Sequence, residues 1–330
     1  MKILHHIDAD GHCAAAIALF SFENPFRPTK INDLIPYNYK GEIDYDYDDI
    51  KMHDDIFIVD ISLNEDVFKF IKEAHARSQK RIVHIDHHAT TLSYLEKMEE
   101  HDKEFYEKNV ILFHSTEHSG SLLTWVYSFM NDDQRQDPMN VKFDFTEDYA
   151  NFAFMDDNDK PLGGVPYTIP LALRYIDDYD IWKHQFPESK LFHMAYNAID
   201  NHPMNQSLWN ELLYNTTNRV GEMIDMGQIL SDYQTKKNKE IVRNAYEIEF
   251  HGFKGLIVNN PDGGSLLFGD LVNDYDFVGT YNYDGVNKIW MYHMYSHDDS
   301  PCVCGKLCQE YLNGGGHPHA AGGHLDKLIW

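Results

Sequence analysis

The chain has 330 residues, of which 43% are hydrophobic and 25% charged, and its formal net charge is −25. That length holds two domains with cores of their own, and the composition is that of a globular protein. Strong acidity with no Lys/Arg-rich run excludes tight binding of long duplex nucleic acid, and no apolar run approaches the ~20 residues of a membrane span.

Met1 to Ile7 reads as a strand that runs into Asp8-Ala9-Asp10-Gly11, and Gly11 to Phe20 as a helix rich in small residues. Alternate residues in an extended turn project the same way, so Asp8 and Asp10 can meet a cation together above a helix amino terminus. Pro25 to Asp49 is a polar, tyrosine-rich connection with an edge strand near Pro36–Tyr39. Its Asp44–Asp49 run lacks the glycine turn and terminal glutamate of an EF-hand loop and reads as solvated. Ile56–Val59 is a second strand, delivering Asp60, and a helix capped at Ser62 or Asn64 follows. Ile82–Ile85 is a third, ending in Asp86-His87-His88.

Three strands thus bring aspartate and histidine to one sheet edge, where ligands of open α/β sheets bind. That pattern predicts a metal site with chemistry. The alternation of strand and helix predicts a doubly wound, mostly parallel sheet.

Residues 92–108 read as a charged helix, Val110–His114 as a strand, and Ser119–Tyr127 and Tyr149–Met155 as helices. A helix from Ile169 ends in Asp177-Asp178-Tyr179-Asp180, and three acids between apolar flanks assign one or more of them to the metal site. Asn205 to Glu247 is amphipathic and helical. The tail reads as a compact α/β unit, with strands at Gly255–Val258, Phe277–Tyr281 and Ile289–Met294. Its helices fall near Ser265–Asn273 and Cys302–Tyr311, and it closes on Gly314-Gly315-Gly316-His317. The organisation expected is a first domain over 1–200, a helical linker over 201–247 and a smaller α/β domain over 248–330.

Cys13, Cys302, Cys304 and Cys308 lack the paired C-x2-C knuckles of structural zinc sites and read as small core residues. Without a disulfide framework, and with no apolar signal region in Met1–His6, a reducing, cytoplasmic location is expected. The 21 Tyr and 19 Phe are expected chiefly to pack cores, base stacking being the alternative use.

In order along the chain, His6-x-Asp8-x-Asp10-Gly11, Asp60, Asp86-His87-His88, the acids before Trp182, and Gly314–His317 with Ala320-Ala321-Gly322 resemble the DHH phosphoesterase superfamily. The match spans nearly the whole chain, and its tail resembles the substrate-binding domain called DHHA1. The resemblance implies two Mn²⁺ ions, with Mg²⁺ or Co²⁺ as substitutes, held by His6, Asp8, Asp10, Asp60, His87 and Asp178. Asp60 would bridge the ions, Asp86 would orient the histidines, and His88 would contact the scissile phosphate. Whether His5 or His6 ligates, and which of Asp177, Asp178 and Asp180, stays open. Gly314, Gly315 and Gly316 would let backbone approach a phosphate or sugar, and His317 would reach the substrate phosphate.

The activity implied is metal-dependent hydrolysis of short single-stranded oligonucleotides to 5′-mononucleotides. The alternatives are a cyclic dinucleotide or 3′-phosphoadenosine phosphate as substrate, and a catalytically silent nucleotide-binding module. The basic substrate motif of inorganic pyrophosphatases is missing from the tail, and a processive exonuclease would carry further nucleic-acid-binding domains. The implied partner is a short oligonucleotide or dinucleotide, with no long duplex and no membrane. A homodimer, common among relatives, is left open.

Overall fold

The computed structural model describes the chain except residues 24–27, 40, 163–165, 215–216 and 262–263. It divides into two compact units, Met1–Gln228 and Ile229–Trp330.

The first unit opens with β1 (Lys2–His6), α1 (Ala9–Phe22), β2 (Leu34–Tyr37), β3 (Ile56–Val59), α2 (Glu65–Ser78) and β4 (Ile82–Asp86). Next come α3 (Ala89–Lys97), α4 (Glu100–Asn109), β5 (Val110–His114), α5 (Gly120–Phe129) and α6 (Asp132–Gln136). The strands β1 to β5 form one sheet in the order β2-β1-β3-β4-β5, and every neighbouring pair is parallel. Successive side chains alternate between two cores, as a pleated strand requires. Ile3, Phe57 and Val59 face a core shared with Ala14, Ile17, Leu122 and Val126, from α1 and α5. Leu4, Ile56 and Ile58 face one built on Val67, Phe70 and Ile71 of α2 with Tyr106 of α4. Helices therefore cover both faces, which is the doubly wound arrangement expected.

Capping explains where these helices start. Asp8 caps α1 by accepting from Gly11 N at 2.9 Å, and Asn64 caps α2 by accepting from Val67 N at 2.9 Å. Gly11 has to be glycine, because a Cβ there would lie 2.4 Å from the carbonyl oxygen of His6.

The rest of this unit is β6 (Phe143–Phe145), β7 (Asn151–Phe154), β8 (Tyr167–Thr168), α7 (Leu171–Asp180), α8 (Ser189–Tyr196) and α9 (Gln206–Tyr214). The helix expected over Tyr149–Met155 is instead the strand β7, centred in a small antiparallel sheet. Phe152 and Phe154 are buried and alternate with half-buried Asn151 and Ala153, so the period is two and not 3.6. The stretch read as linker also splits. Leu208, Trp209 and Leu212 of α9 are buried in the first unit's core, and α10 (Arg219–Val242) carries the chain through the division between the units.

The second unit contains β9 (Tyr246–Phe250), β10 (Phe253–Asn259), β11 (Phe277–Asp284), β12 (Ile289–Tyr295), α11 (Cys304–Tyr311), β13 (Gly315–His317) and β14 (Ala320–Leu325). Its sheet runs β13-β14-β12-β11-β10-β9, with only β10 and β11 parallel. The helix expected near Ser265–Asn273 is two short 3-10 turns, Ser265–Leu267 and Gly269–Asp274. Gly269 opens the second at φ +53, which no α-helix continues through. All four cysteines are buried and unbridged. Among the described residues, no helix is long and apolar enough to cross a membrane.

Candidate metal centre

The strand order reverses between β1 and β3, and ligands of open parallel sheets sit outside the carboxyl ends of the strands at that point. Asp8 and Asp10 follow β1, Asp60 follows β3, and His87 and His88 follow β4. Three sets of groups converge there, the ligand atoms of each lying within 4.8 Å of one another: His6, Asp8 and Asp60; Asp60, His87 and His88; and Asp10, His87 and Asp180. Asp60 and His87 each belong to two sets, so the three form one continuous cluster.

Asp60 sits at its centre. It is 1% exposed, with Oδ1 3.1 Å from His87 Nε2 and Oδ2 3.7 Å from His6 Nδ1. Its φ is +55, a left-handed conformation that aspartate tolerates better than most residues. Burial, then the charges of Asp10, Asp8, Asp180 and Asp86, push its carboxyl well above the usual range. Asp180 behaves alike. Its Oδ2 lies 3.4 Å from His87 Nε2, and burial followed by Asp10 and Asp8 pushes it up to about 9.

Asp8 goes the other way. Burial would raise it, but His6, whose Nδ1 is 2.8 Å from Asp8 Oδ2, outweighs that and draws it down to about 2. Asp10 is fully buried, and its Oδ1 accepts from Ser121 N at 3.0 Å.

Asp86 lies beneath the cluster. It accepts from Thr91 Oγ1 and pairs with His88 Nδ1 at 2.7 Å. Burial works against ionisation of both, yet the pair wins: Asp86 is held below the usual range and His88 is raised. His88 is thereby fixed with Nε2 as its outward nitrogen. His87 is lowered by burial.

Asp10 Oδ2, both Asp60 oxygens and Asp180 Oδ2 are buried without a hydrogen-bond partner. Buried carboxylates in this state are costly unless cations neutralise them. Hard carboxylates mixed with imidazole suit Mn²⁺ or Mg²⁺. The residues present fit a divalent metal centre.

Among the residues marked out by sequence, His6, Asp8, Asp10, Asp60, His87 and His88 are brought together, with Asp86 behind them. His5 is not: it is 2% exposed and turned toward His12, with ring centroids 5.5 Å apart. Asp178 is not either. It accepts from Gln185 N and Ser189 Oγ, each at 2.6 Å, and so ties down the chain after α7. Asp177 is taken up by Ser119 N and Tyr149 OH at 2.6 Å and Lys183 Nζ at 3.2 Å. Asp180, the alternative not selected, stands in the cluster.

Gly314 to His317 belong to the second unit. Gly315–His317 form β13, Gly316 has φ +144, and His317 is exposed. A Cβ on Gly314 would lie 2.0 Å from the carbonyl oxygen of Gly322, so close backbone packing demands glycine there.

Sequence reasoning missed the role of α5. Ser119-Gly120-Ser121 read only as a helix start, yet Gly120 lets that helix end close on the cluster. A Cβ there would meet Asp60 Cβ at 2.8 Å and Asp10 Oδ2 at 3.0 Å. A Ser-Gly-Ser start was the available signal, and its distance of over a hundred residues from Asp10 hid the connection.

A five-stranded parallel sheet with an acidic and histidine cluster at its reversal point, followed by a separate mixed-sheet unit, defines an α/β protein whose sheet edge carries groups that could hold a metal ion. No family model and no curated protein matches the sequence. Solved structures do. A DHH domain described as a member of an s1p family of ribosomal proteins is 15% identical, with 98% of this chain and 82% of that one covered and a TM-score of 0.52. A pGpG-specific phosphodiesterase from Vibrio cholerae is 12% identical (98% and 92% covered, TM-score 0.48). The exonuclease RecJ bound to manganese is 12% identical (98% and 85% covered, TM-score 0.45). This chain shares its fold with that DHH domain.

Proposed function

We propose that the protein is a divalent-metal-dependent phosphodiesterase that hydrolyses short single-stranded oligonucleotides to 5′-mononucleotides. The observation that carries this reading is the set of buried carboxylate oxygens on Asp10, Asp60 and Asp180 that have no hydrogen-bond partner and face His87. His6, Asp8, Asp10, Asp60, His87 and Asp180 would hold two ions, Asp60 being the shared ligand. When bound, such a pair supplies Lewis-acid stabilisation of a phosphoryl oxygen and acidifies a water, so that no serine or cysteine nucleophile is required.

The chain's own residues do the rest. Asp86 fixes His88 by its 2.7 Å contact and keeps it cationic to higher pH, so that Nε2 can donate to a non-bridging phosphate oxygen. Ser121 N holds Asp10 by one oxygen and leaves the other for a ligand. In the second unit, the exposed His317 and the backbone beside Gly315 are the substrate contacts this reading assigns. A net charge of −25 agrees with short substrates, since a long strand would need a basic track.

The test is a product time course in Mn²⁺ with end-labelled RNA from dinucleotide to long strand, and a cyclic dinucleotide in parallel. Fast conversion of the shortest RNAs to mononucleotides, with the long strand spared, is the expected result. Cleavage of the cyclic compound alone would replace this reading with second-messenger hydrolysis, and no cleavage at all would leave a silent binding module.

A further inference from the structure

The segment just beyond Asp180 is built in a way that metal binding does not explain. Trp182 is 73% exposed although it is the bulkiest kind of side chain, and it stands at φ +57. A left-handed conformation is unfavourable for an aromatic residue and persists only where its surroundings impose it. Here they do. Lys183 N donates to the carbonyl oxygen of Asp178 at 3.0 Å, and the buried Asp178 carboxylate accepts from Gln185 N and Ser189 Oγ. The acid that leaves the metal cluster therefore spends its oxygens fixing the turn that presents Trp182.

The rings around it are ordered. Tyr179 lies against Trp182 with centroids 6.1 Å apart and an interplanar angle of 27°, and His184 meets the indole edge-on at 4.9 Å. On α8, His193 stacks on Tyr179 at 3.9 Å and 21°. Asp180, between Tyr179 and Trp182 in sequence, reaches His87, so this aromatic group borders the catalytic cluster directly.

We propose that Trp182, supported by Tyr179 and His193, is a stacking platform for a nucleobase of the substrate. This deepens the phosphodiesterase reading and rests on it for the identity of the substrate. An inorganic pyrophosphate or polyphosphate has no π face and would gain nothing from the indole, whereas every nucleobase has one. Stacking of this kind is tolerant of base identity, so the platform selects nucleotides as a class.

Two measurements on the full-length protein test this. In the first, adenosine 5′-monophosphate and ribose 5-phosphate are titrated calorimetrically into wild type, Trp182→Ala and Trp182→Phe in Mn²⁺. The nucleotide should bind the alanine variant roughly ten- to a hundredfold more weakly and the phenylalanine variant nearly normally, with ribose 5-phosphate indifferent to either change. In the second, KM for a diadenosine dinucleotide should rise by a similar factor in Trp182→Ala while kcat holds, and an abasic dinucleotide should show no such difference. The exposed position predicts an unchanged urea midpoint, which removes misfolding as an explanation. Equal nucleotide affinity in wild type and Trp182→Ala, or an equal loss for the base-free probes, would overturn the platform. Absence of turnover with the affinity difference intact would instead remove the phosphodiesterase reading and leave the platform standing.

Discussion

The backbone N–H of Ser121 donates to Asp10 Oδ1 at 3.0 Å, so the second acid of the first motif is held by the amino end of a helix 111 residues away. The dipole at that helix end favours a negative charge, and the bond aims the free Oδ2 of Asp10 at the cluster. Gly120 makes the approach possible, and it is the most direct place to disturb the centre without touching a ligand.

Gly120→Ala would place a methyl 2.8 Å from Asp60 Cβ and 3.0 Å from Asp10 Oδ2. Overpacking of this kind costs about 1–3 kcal/mol, and displaced support of a ligand weakens metal binding by about 10–100-fold. Calorimetric Mn²⁺ titration beside a urea melt should show both effects. A variant with wild-type Mn²⁺ affinity would mean that α5 has no part in holding the site.

Asp60→Asn should separate charge from fold. Asparagine accepts the left-handed backbone at φ +55, and it cannot ionise among Asp10, Asp8 and Asp180 as the carboxyl must to hold a cation. The metal-free variant should melt no lower than wild type, while turnover falls by at least about a hundredfold. Asp60→Ala should lose turnover too, and also melt lower, by about 1 kcal/mol for the less tolerant backbone.

Asp178 and Asp180 should fail differently. Asp178→Ala removes the carboxylate that accepts from Gln185 N and Ser189 Oγ, and Ser189 Oγ keeps only its bond to Phe186 O, at a cost of about 1–3 kcal/mol in all. Asp180→Ala removes one of several crowded acids, so metal-free stability should hold or rise while Mn²⁺ affinity drops. If Mn²⁺ affinity instead fell only in Asp178→Ala, the assignment of Asp180 would be wrong.

Stability of the metal-free protein should decline between pH 7 and pH 9. Asp180 is raised from 3.8 to about 9, so in this range the folded state binds protons that the unfolded chain has lost, and rising pH favours unfolding. Asp60 and His88, also raised, act in the same direction. The lowered histidines, His5 at about 4 among them, oppose this only below about pH 6.5, where the unfolded imidazole still titrates. Thermal melts in chelator should fall across the window, and saturating Mn²⁺ should flatten or reverse the trend.

Asp86→Asn should move the alkaline limb of the activity profile to lower pH. Burial lowers His88, and the bond from Asp86 is what overcomes it. With that charge gone, His88 loses its proton earlier and ceases to donate to the phosphate. A limb that stays in place would mean that His88 is not the titrating group.

Much of the centre was legible because it follows local rules. Strand runs ending in Asp8 and Asp10, in Asp60 and in His87-His88 place polar side chains at carboxyl ends, and a parallel sheet puts all such ends on one side. The doubly wound sheet followed from the alternation of elements for the same reason. Where the period was short and ambiguous, as in Asn151–Phe154, the reading failed, since four residues fit a turn of helix as readily as a strand until their partners are known.

What the sequence determined by itself is the set of residue types and their order at the strand ends, because adjacent residues share one backbone segment. The tertiary structure decided among Asp177, Asp178 and Asp180. Successive residues on a helix point about 100° apart, so only the packing of α7 could turn Asp180 toward His87 and the other two into hydrogen bonds. It also decided that the Ser119-Gly120-Ser121 helix start would hold an acid 111 residues earlier in the chain, and that Trp182 would be fixed facing solvent. Those are contacts between distant segments, and no spacing along a chain encodes them.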